Sequence, residues 1–323
     1  MTDRDKGELP SDRPIVLGRS GDDDLVRPFA IEGMDVRGRL VRLGPSVEAI
    51  VSGHASPPPL AGLVAEAAAL AALLGSMIKF DGVLTIEARG KKGAALRFLV
   101  ADYRTPGHVR AYVEPDPDRI ADIAGGARLD ALFGDAGYLV MTIDQGADME
   151  RYQGIVALEG ASLADCALAW FKSSEQTPTA LCLASGRDPL SGHWRAGGIM
   201  VQHLARGEDG GPRLPDRNEA EHWRRARILM ESVRREELLD PALPADRLLY
   251  RLFHEDGVRV HEPTAIAHRC RCRRARLLSV LKGFGADDLR HMMREGAIEA
   301  RCQFCGRLYR FTAGEVGLSP EGG

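Results

Sequence analysis

Two cysteine pairs constrain this chain more than any other feature. Cys270 and Cys272 form a C-x-C in "HRCRCRRARLL" (268–278), and Cys302 and Cys305 form a C-x-x-C in "ARCQFCGRLYRF" (300–311). A C-x-x-C-G turn between two strand-like runs brings both sulfurs to one point, and its glycine lets the backbone pass close to a metal. Between the pairs, "ARLLSVLKGF" and "DDLRHMMREG" read as two short helices that fold the pairs together. The expected product is one tetrahedral Zn²⁺ held by Cys270, Cys272, Cys302 and Cys305, with Zn–S near ~2.3 Å. His254, His261 and His268 are nearby alternatives that four thiolates make unnecessary.

The arginines around the first pair suggest more than a structural site. Arg269, Arg271 and Arg273 argue against core burial of these cysteines. Positive charge favours the thiolate, the species that both ligates zinc and attacks oxidants. A C-x-C disulfide closes a tight ring, and strained bridges tend to be labile or regulatory. Structural zinc contributes roughly 10–16 kcal/mol in small zinc domains, whereas an unaided core of that size supplies only a few kcal/mol. Oxidation that removed the metal would therefore unfold the module and loosen its neighbour. From local physics alone, arginines that only solvate the surface or touch nucleic acid are the alternative.

Other chemistries lack their residues. No H-E-x-x-H, G-x-S-x-G or P-loop occurs, and the H-x-E with P-C-x-x-C of a zinc deaminase is absent, since Arg301 precedes Cys302. A thioredoxin-like βαβ context around the C-x-x-C is missing as well. The expectation is a non-enzyme. A net charge of -3 gives no global sign of nucleic-acid or membrane binding. The start, "MTDRDKGELPSDRP", has no apolar stretch of the secretory type, which predicts a cytoplasmic protein with reduced thiols. The most apolar segment, Leu60 to Ile78, is alanine-rich and contains Glu66, so it reads as a buried core helix and not a membrane span.

The rest of the chain divides by composition. Residues 1–24 read as a charged flexible tail and 25–212 as an α+β core of mixed sheet and helix. Within the core, "VRGRLVRLG" and "VEAIVSG" have strand character, and "SPPPLAG" opens a helix. "DGVLTIEARGKKGAALRFLVADY" reads as a hairpin turning at Gly90–Gly93, and "YLVMTID", "QGIVALEG", "TALCLASG" and "AGGIMVQHL" as further strands. Ser162 is the expected cap of a helix through Cys166, and Cys166 and Cys182 read as small core hydrophobes. Residues 213–267 form an expected helical linker. Asp216 and Glu219 have capping-box spacing, Trp223, Ala226, Met230 and Val233 make a narrow stripe, and Asp246 is placed to cap a helix containing Leu248, Leu249, Leu252 and Phe253. With so little apolar surface, this linker depends on whatever it packs against. The zinc module is expected over 268–314 and a short tail over 315–323.

Taken together, these motifs resemble the 33 kDa chaperonin family of redox-regulated heat-shock chaperones. The C-x-C followed about thirty residues later by C-x-x-C is similar to its zinc switch. "YQGIVALEGASLADCALAWFKSSEQTPT" resembles its core block, and "MIKFDG", "AGGIMVQ" and "LLYRLFHEDGVRVHEP" resemble further segments. The resemblance implies that Cys270, Cys272, Cys302 and Cys305 hold zinc in the reduced, inactive state. It further implies Cys270–Cys272 and Cys302–Cys305 disulfides on oxidation, zinc release, homodimerisation and ATP-independent holding of unfolding client proteins. A zinc-ribbon regulatory protein that binds nucleic acid is the competing reading.

Overall fold

The computed structural model describes residues 23–53, 58–123, 128–146, 149–175, 177–204 and 219–318. Nearly all of the expected N-terminal tail, and the expected cap Asp216, lie outside these residues. The chain opens with an antiparallel hairpin of β1 (Leu25–Ile31) and β2 (Val36–Leu43), and both faces of this ribbon are covered. Val26, Val41 and Leu43 enter one apolar core, while Leu25, Phe29 and Leu40 enter another.

"VEAIVSG" is not a strand. It belongs to helix α1 (Pro45–Ser52), with Pro45 in the first turn, where the missing N–H costs nothing. Its free amides are met from a distance. The Asp24 carboxylate accepts from the N–H groups of Gly44 and Ser46 at 3.0 and 2.9 Å. A cap contributed from twenty residues upstream leaves no local signature.

Helix α2 (Pro58–Gly75) is the buried core helix that its composition predicts. It lies between two sheets, packing on β3 (Val83–Arg89), β4 (Leu96–Arg104) and β5 (His108–Pro115) on one side and on β2 on the other. Its alanines let both sheets approach closely, so Leu60, Val64, Leu70 and Leu73 are shielded completely or nearly so. The hairpin expected around Gly90–Gly93 is β3–β4. After α3 (Leu129–Phe133) come β6 (Tyr138–Asp144) and β7 (Tyr152–Ala157), then α4 (Leu163–Trp170). Ser162 caps α4 in a reciprocal box with Asp165, as expected. Strands β8 (Thr179–Arg187) and β9 (Trp194–His203) complete the core.

The linker then lies across the outer face of the β8–β9–β2–β1 sheet. It comprises α5 (Glu219–Glu231), α6 (Arg235–Leu239) and α7 (Ala245–Phe253). Ala226, Met230, Leu238, Leu248, Leu252 and Phe253 are buried there against Phe29, Leu40, Ile199 and Val201. Gly197 on β9 makes this close approach workable, since a Cβ there would sit 2.6 Å from the Leu238 carbonyl oxygen. Two core arginines grip the linker backbone. Buried Arg42 donates to the carbonyls of Glu237, Asp240 and Leu243, and Arg195 donates to that of Leu239 at 2.6 Å while pairing with Asp23. Asp246 does not cap α7, whose N-cap is Pro244. It pairs with Arg27 of β1 at 2.9 Å.

Helix ends sooner than expected, and the last part of the linker is strand. β10 (Val258–Val260) and β11 (Thr264–Ala265) pair with β1, and β12 (Ala267–His268) then pairs in parallel with β5 of the other sheet. The sheet orders are β10–β1–β2–β9–β8, with β11 also on β1, and β12–β5–β4–β3–β6–β7. The segment just before Cys270 therefore bridges both sheets, with Ile266 buried between them.

The C-terminal module contains α8 (Arg274–Leu281), α9 (Ala286–Met292), β13 (Met293–Arg294), β14 (Ala297–Arg301), β15 (Leu308–Thr312) and α10 (Ala313–Val316). The two helices between the cysteine pairs fall where expected. The module runs on past residue 314, because Val316 and Leu318 are buried in its core with Leu281, Leu289, Ile298 and Phe311. Those six side chains make a small core, too small to hold the module without further support.

Candidate metal centre

Each cysteine pair sits on a backbone that aims it at the other. Cys302 and Cys305 occupy the turn between β14 and β15, closed by Cys302 N–H to the Arg307 carbonyl and Gly306 N–H to the Cys302 carbonyl, both at 2.9 Å. Gly306 has φ +68, and a Cβ there would meet the Gly53 carbonyl oxygen at 2.3 Å, so glycine serves both the turn and the docking onto α1. Cys270 and Cys272 leave β12 on an extended stretch held by Arg269 N–H to the Val109 carbonyl at 3.1 Å.

The four sulfurs all lie within 4.8 Å of one another, and they form the one group of three or more His, Cys, Asp or Glu side chains among the described residues that is placed to take a metal ion. Two separations across the pairs are 3.6 Å for Cys270–Cys302 and 3.5 Å for Cys272–Cys305. A tetrahedron with Zn–S of ~2.3 Å has edges of about 3.8 Å, so the donor set fits. None of the three candidate histidines joins it. His268 Nδ1 faces the Val109 carbonyl at 3.2 Å, and His254 Nδ1 faces that of Tyr250 at 3.1 Å.

The electrostatics of the thiols point the same way. Burial pushes the Cys305 thiol up to about 12, with the three neighbouring thiols adding to it, and burial also raises Cys270. Burial acts to raise Cys272 too, but the hydrogen bond from Tyr309 Oη at 3.2 Å, together with those from the other thiols, brings it down to about 7. In the protein alone, burial conflicts with thiolates at Cys270 and Cys305. A divalent cation in place of the protons removes that conflict. Cys166, fully buried, and Cys182, partly buried, stand apart in the core, and burial raises both thiols.

What docks the centre onto the core was not read from the cysteine motifs. Asp102 of β4 is buried and accepts from Thr85 Oγ1 at 2.9 Å, from Arg110 Nε at 2.7 Å and from Arg271 of the module. Phe304, between the two cysteines of the turn, lies under the Arg110 guanidinium at 3.8 Å and against Tyr112. The available signal was an acidic residue inside the apolar run "FLVADY", a position that burial penalises unless partners are supplied.

Asp102→Asn leaves two guanidiniums without their shared counter-charge while the four clustered cysteines stay untouched. Breaking a buried pair costs about 3 kcal/mol at the low end. The expected result is amide exchange at Ala267 and Arg269 at least ~10-fold faster by hydrogen-exchange mass spectrometry, with zinc content unchanged. Unaltered exchange would show that Asp102 does not dock the module.

The family model described as Hsp33 protein matches residues 24–312. The chain belongs to the Hsp33 family. Among curated relatives, the 33 kDa chaperonin of Caulobacter vibrioides is 40% identical over 294 residues, covering 89% of this chain and 94% of that protein. The 33 kDa chaperonin of Pseudomonas aeruginosa is 36% identical over 297 residues, covering 91% and 93%. Among solved structures, the 33 kDa chaperonin of Thermotoga maritima, titled a heat shock protein 33 homolog, superposes with a TM-score of 0.73 at 23% identity over 91% of this chain and 96% of that one. At that identity the last match supports the α+β fold alone, while the first three place the chain in a family of chaperones. No helix among the described residues is long and apolar enough to cross a membrane.

Proposed function

We propose that this Hsp33-family chain is a cytoplasmic, ATP-independent holdase, not an enzyme, that oxidation switches on. In the reduced state Cys270, Cys272, Cys302 and Cys305 hold one Zn²⁺, the module docks on β5, and the linker covers the outer sheet face. The observation that carries the reading is that covered face. It is an apolar surface closed by α5, α6 and α7, which themselves have little other support. Their route to the zinc centre is short, because β10, β11 and β12 are edge strands that end two residues before Cys270.

Each disulfide forms as two thiolates pass two electrons to a peroxide, whose O–O bond breaks to give two waters with two added protons. The S–S bonds proposed are Cys270–Cys272 and Cys302–Cys305. They leave the two halves of the centre unlinked and without negative charge to retain Zn²⁺, so the small module loses its main support. Bridges across the pairs would staple the module shut. Release of β12 then frees the linker, and the bared sheet face takes up unfolding clients and pairs with a second copy of the chain.

The test is peroxide treatment of the reduced, zinc-loaded chain under mildly unfolding conditions, following zinc release with a chromogenic chelator, aggregation of a model client by light scattering, and pairing by peptide mass spectrometry. One zinc released per chain, suppressed aggregation and within-motif bridges are expected. Retained zinc with oxidised thiols, or unaffected aggregation, defeats the reading.

A further inference from the structure

Beside the cysteine centre, where the module meets β4 and β5, lies a cleft of about 560 Å³, within the ~300–1,000 Å³ range of small-ligand sites. Its lining is dominated by positive charge. The core contributes Arg104 and Arg110, the approach to α8 contributes Arg269, Arg271 and Arg273, and α8 itself contributes Arg276. One carboxylate, Asp102, faces them, and it is already shared by Arg110 and Arg271. Among the described residues Arg104, Arg269, Arg273 and Arg276 form no ion pair. A Cys₄ zinc centre carries about two net negative charges, which leaves the surplus uncancelled. The field reaches His108 on the cleft wall, whose imidazole is lowered by burial first and then by Arg269 and Arg104.

Unpaired guanidiniums converging on a cleft with almost no acid are the side chains that recognise phosphate, through forked N–H donors and permanent charge. We propose that this cleft binds a small anion carrying two or more phosphate groups, and that it does so only while the module is docked. Arg104 and Arg110 belong to the core, and the other four arginines travel with the cysteine segment. An anion bridging both sets is lost when they separate. Binding one state and not the other shifts the equilibrium by the factor 1 + [L]/Kd, so an anion at 100 times its Kd lowers the undocked fraction about 100-fold. The bound anion is thus a brake on activation. That consequence rests on the redox reading above, whereas the binding does not.

Pyrophosphate is the probe, titrated by calorimetry into the reduced, zinc-loaded full chain at low salt, with zinc content measured before and after. One saturable site is expected, weakening steeply with salt and at least 10-fold in each of Arg104→Gln and Arg276→Gln. Both side chains are exposed and outside the ion pairs, and matching melting curves will confirm that the variants fold. ADP binding at equal strength would show that the phosphate chain alone is read. Tighter binding of duplex DNA, lost in the same variants, would replace the proposal with a nucleic-acid surface. No saturable pyrophosphate binding, or equal affinity in both variants, overturns the site. In a second arm, pyrophosphate should slow peroxide-driven zinc release in the wild type and not in Arg104→Gln. If it binds without slowing release, the brake is wrong. If peroxide releases no zinc at all, the redox reading fails, and calorimetry still decides the site.

Discussion

Cys302→Ser is expected to lower the zinc affinity of the reduced chain about 10²–10³-fold. Structural zinc contributes roughly 10–16 kcal/mol through four ligands, so an equal share is about 2.5–4 kcal/mol, and each 1.4 kcal/mol is a factor of ten. The module has little with which to absorb the loss. Its core is Leu281, Leu289, Ile298, Phe311, Val316 and Leu318, and its remaining anchors are the Arg271–Asp102 pair and the Phe304 contact with Arg110. Trypsin should then cut faster between Arg269 and Arg276, a stretch whose backbone is held at one end by the Arg269 bond to Val109 and at the other by helix α8. Cys166→Ser is the matched control, since that thiol is buried in the core away from the centre. Competition with a zinc-binding dye measures the affinities, and equal loss in both variants would undo the assignment of the ligands.

Local pattern explains which parts of the molecule were legible in the sequence. The cysteine spacing identified a four-thiol cluster placed to take one metal ion, because four thiols suit one tetrahedral ion whatever surrounds them. The α2 helix, the β3–β4 hairpin and the Ser162 cap also depend on neighbours in sequence, and each forms where its pattern predicts. The failures share the opposite cause. α1 reads as a strand until Asp24 is brought to its first turn. β10, β11 and β12 are two or three residues long and exist only because β1 and β5 offer edges. Arg42 of "VRGRLVRLG" shares the Leu40 face of β2, and an arginine on a strand face is the usual sign of solvent. The linker roofs that face, so Arg42 is buried and serves as a clamp. The partners of the metal centre, Asp102, Phe304 and Tyr309, come from β4 and the second motif and carry no spacing signature at all.

That clamp yields the strongest test of how the linker is held. Arg42→Met is expected to expose the apolar sheet face in the reduced, zinc-loaded chain, without any oxidant. Methionine keeps the buried aliphatic volume but removes the donors to the carbonyls of Glu237, Asp240 and Leu243. Hydrogen bonds to a charged donor contribute about 1.5–3 kcal/mol each, so losing three removes about 4.5–9 kcal/mol, and the loss falls at the α6–α7 junction. What remains includes the Arg195 bond to Leu239, the Arg235 bond to the Ser185 carbonyl of β8, the Arg27–Asp246 pair and the apolar contacts of helices with little surface to spare. The linker should lift while the zinc centre stays intact, because neither the ligands nor the β5 pairing are touched. Dye binding by an apolar fluorophore should therefore rise toward the level of the oxidised wild type, and model-client aggregation should be suppressed, with zinc content still at one per chain. Arg42→Lys, which keeps the charge but not the fork, should fall between the two. If Arg42→Met retains zinc and stays as silent toward the fluorophore as the reduced wild type, the linker is not what covers the client surface, and the coupling between metal centre and exposed face must run through another element.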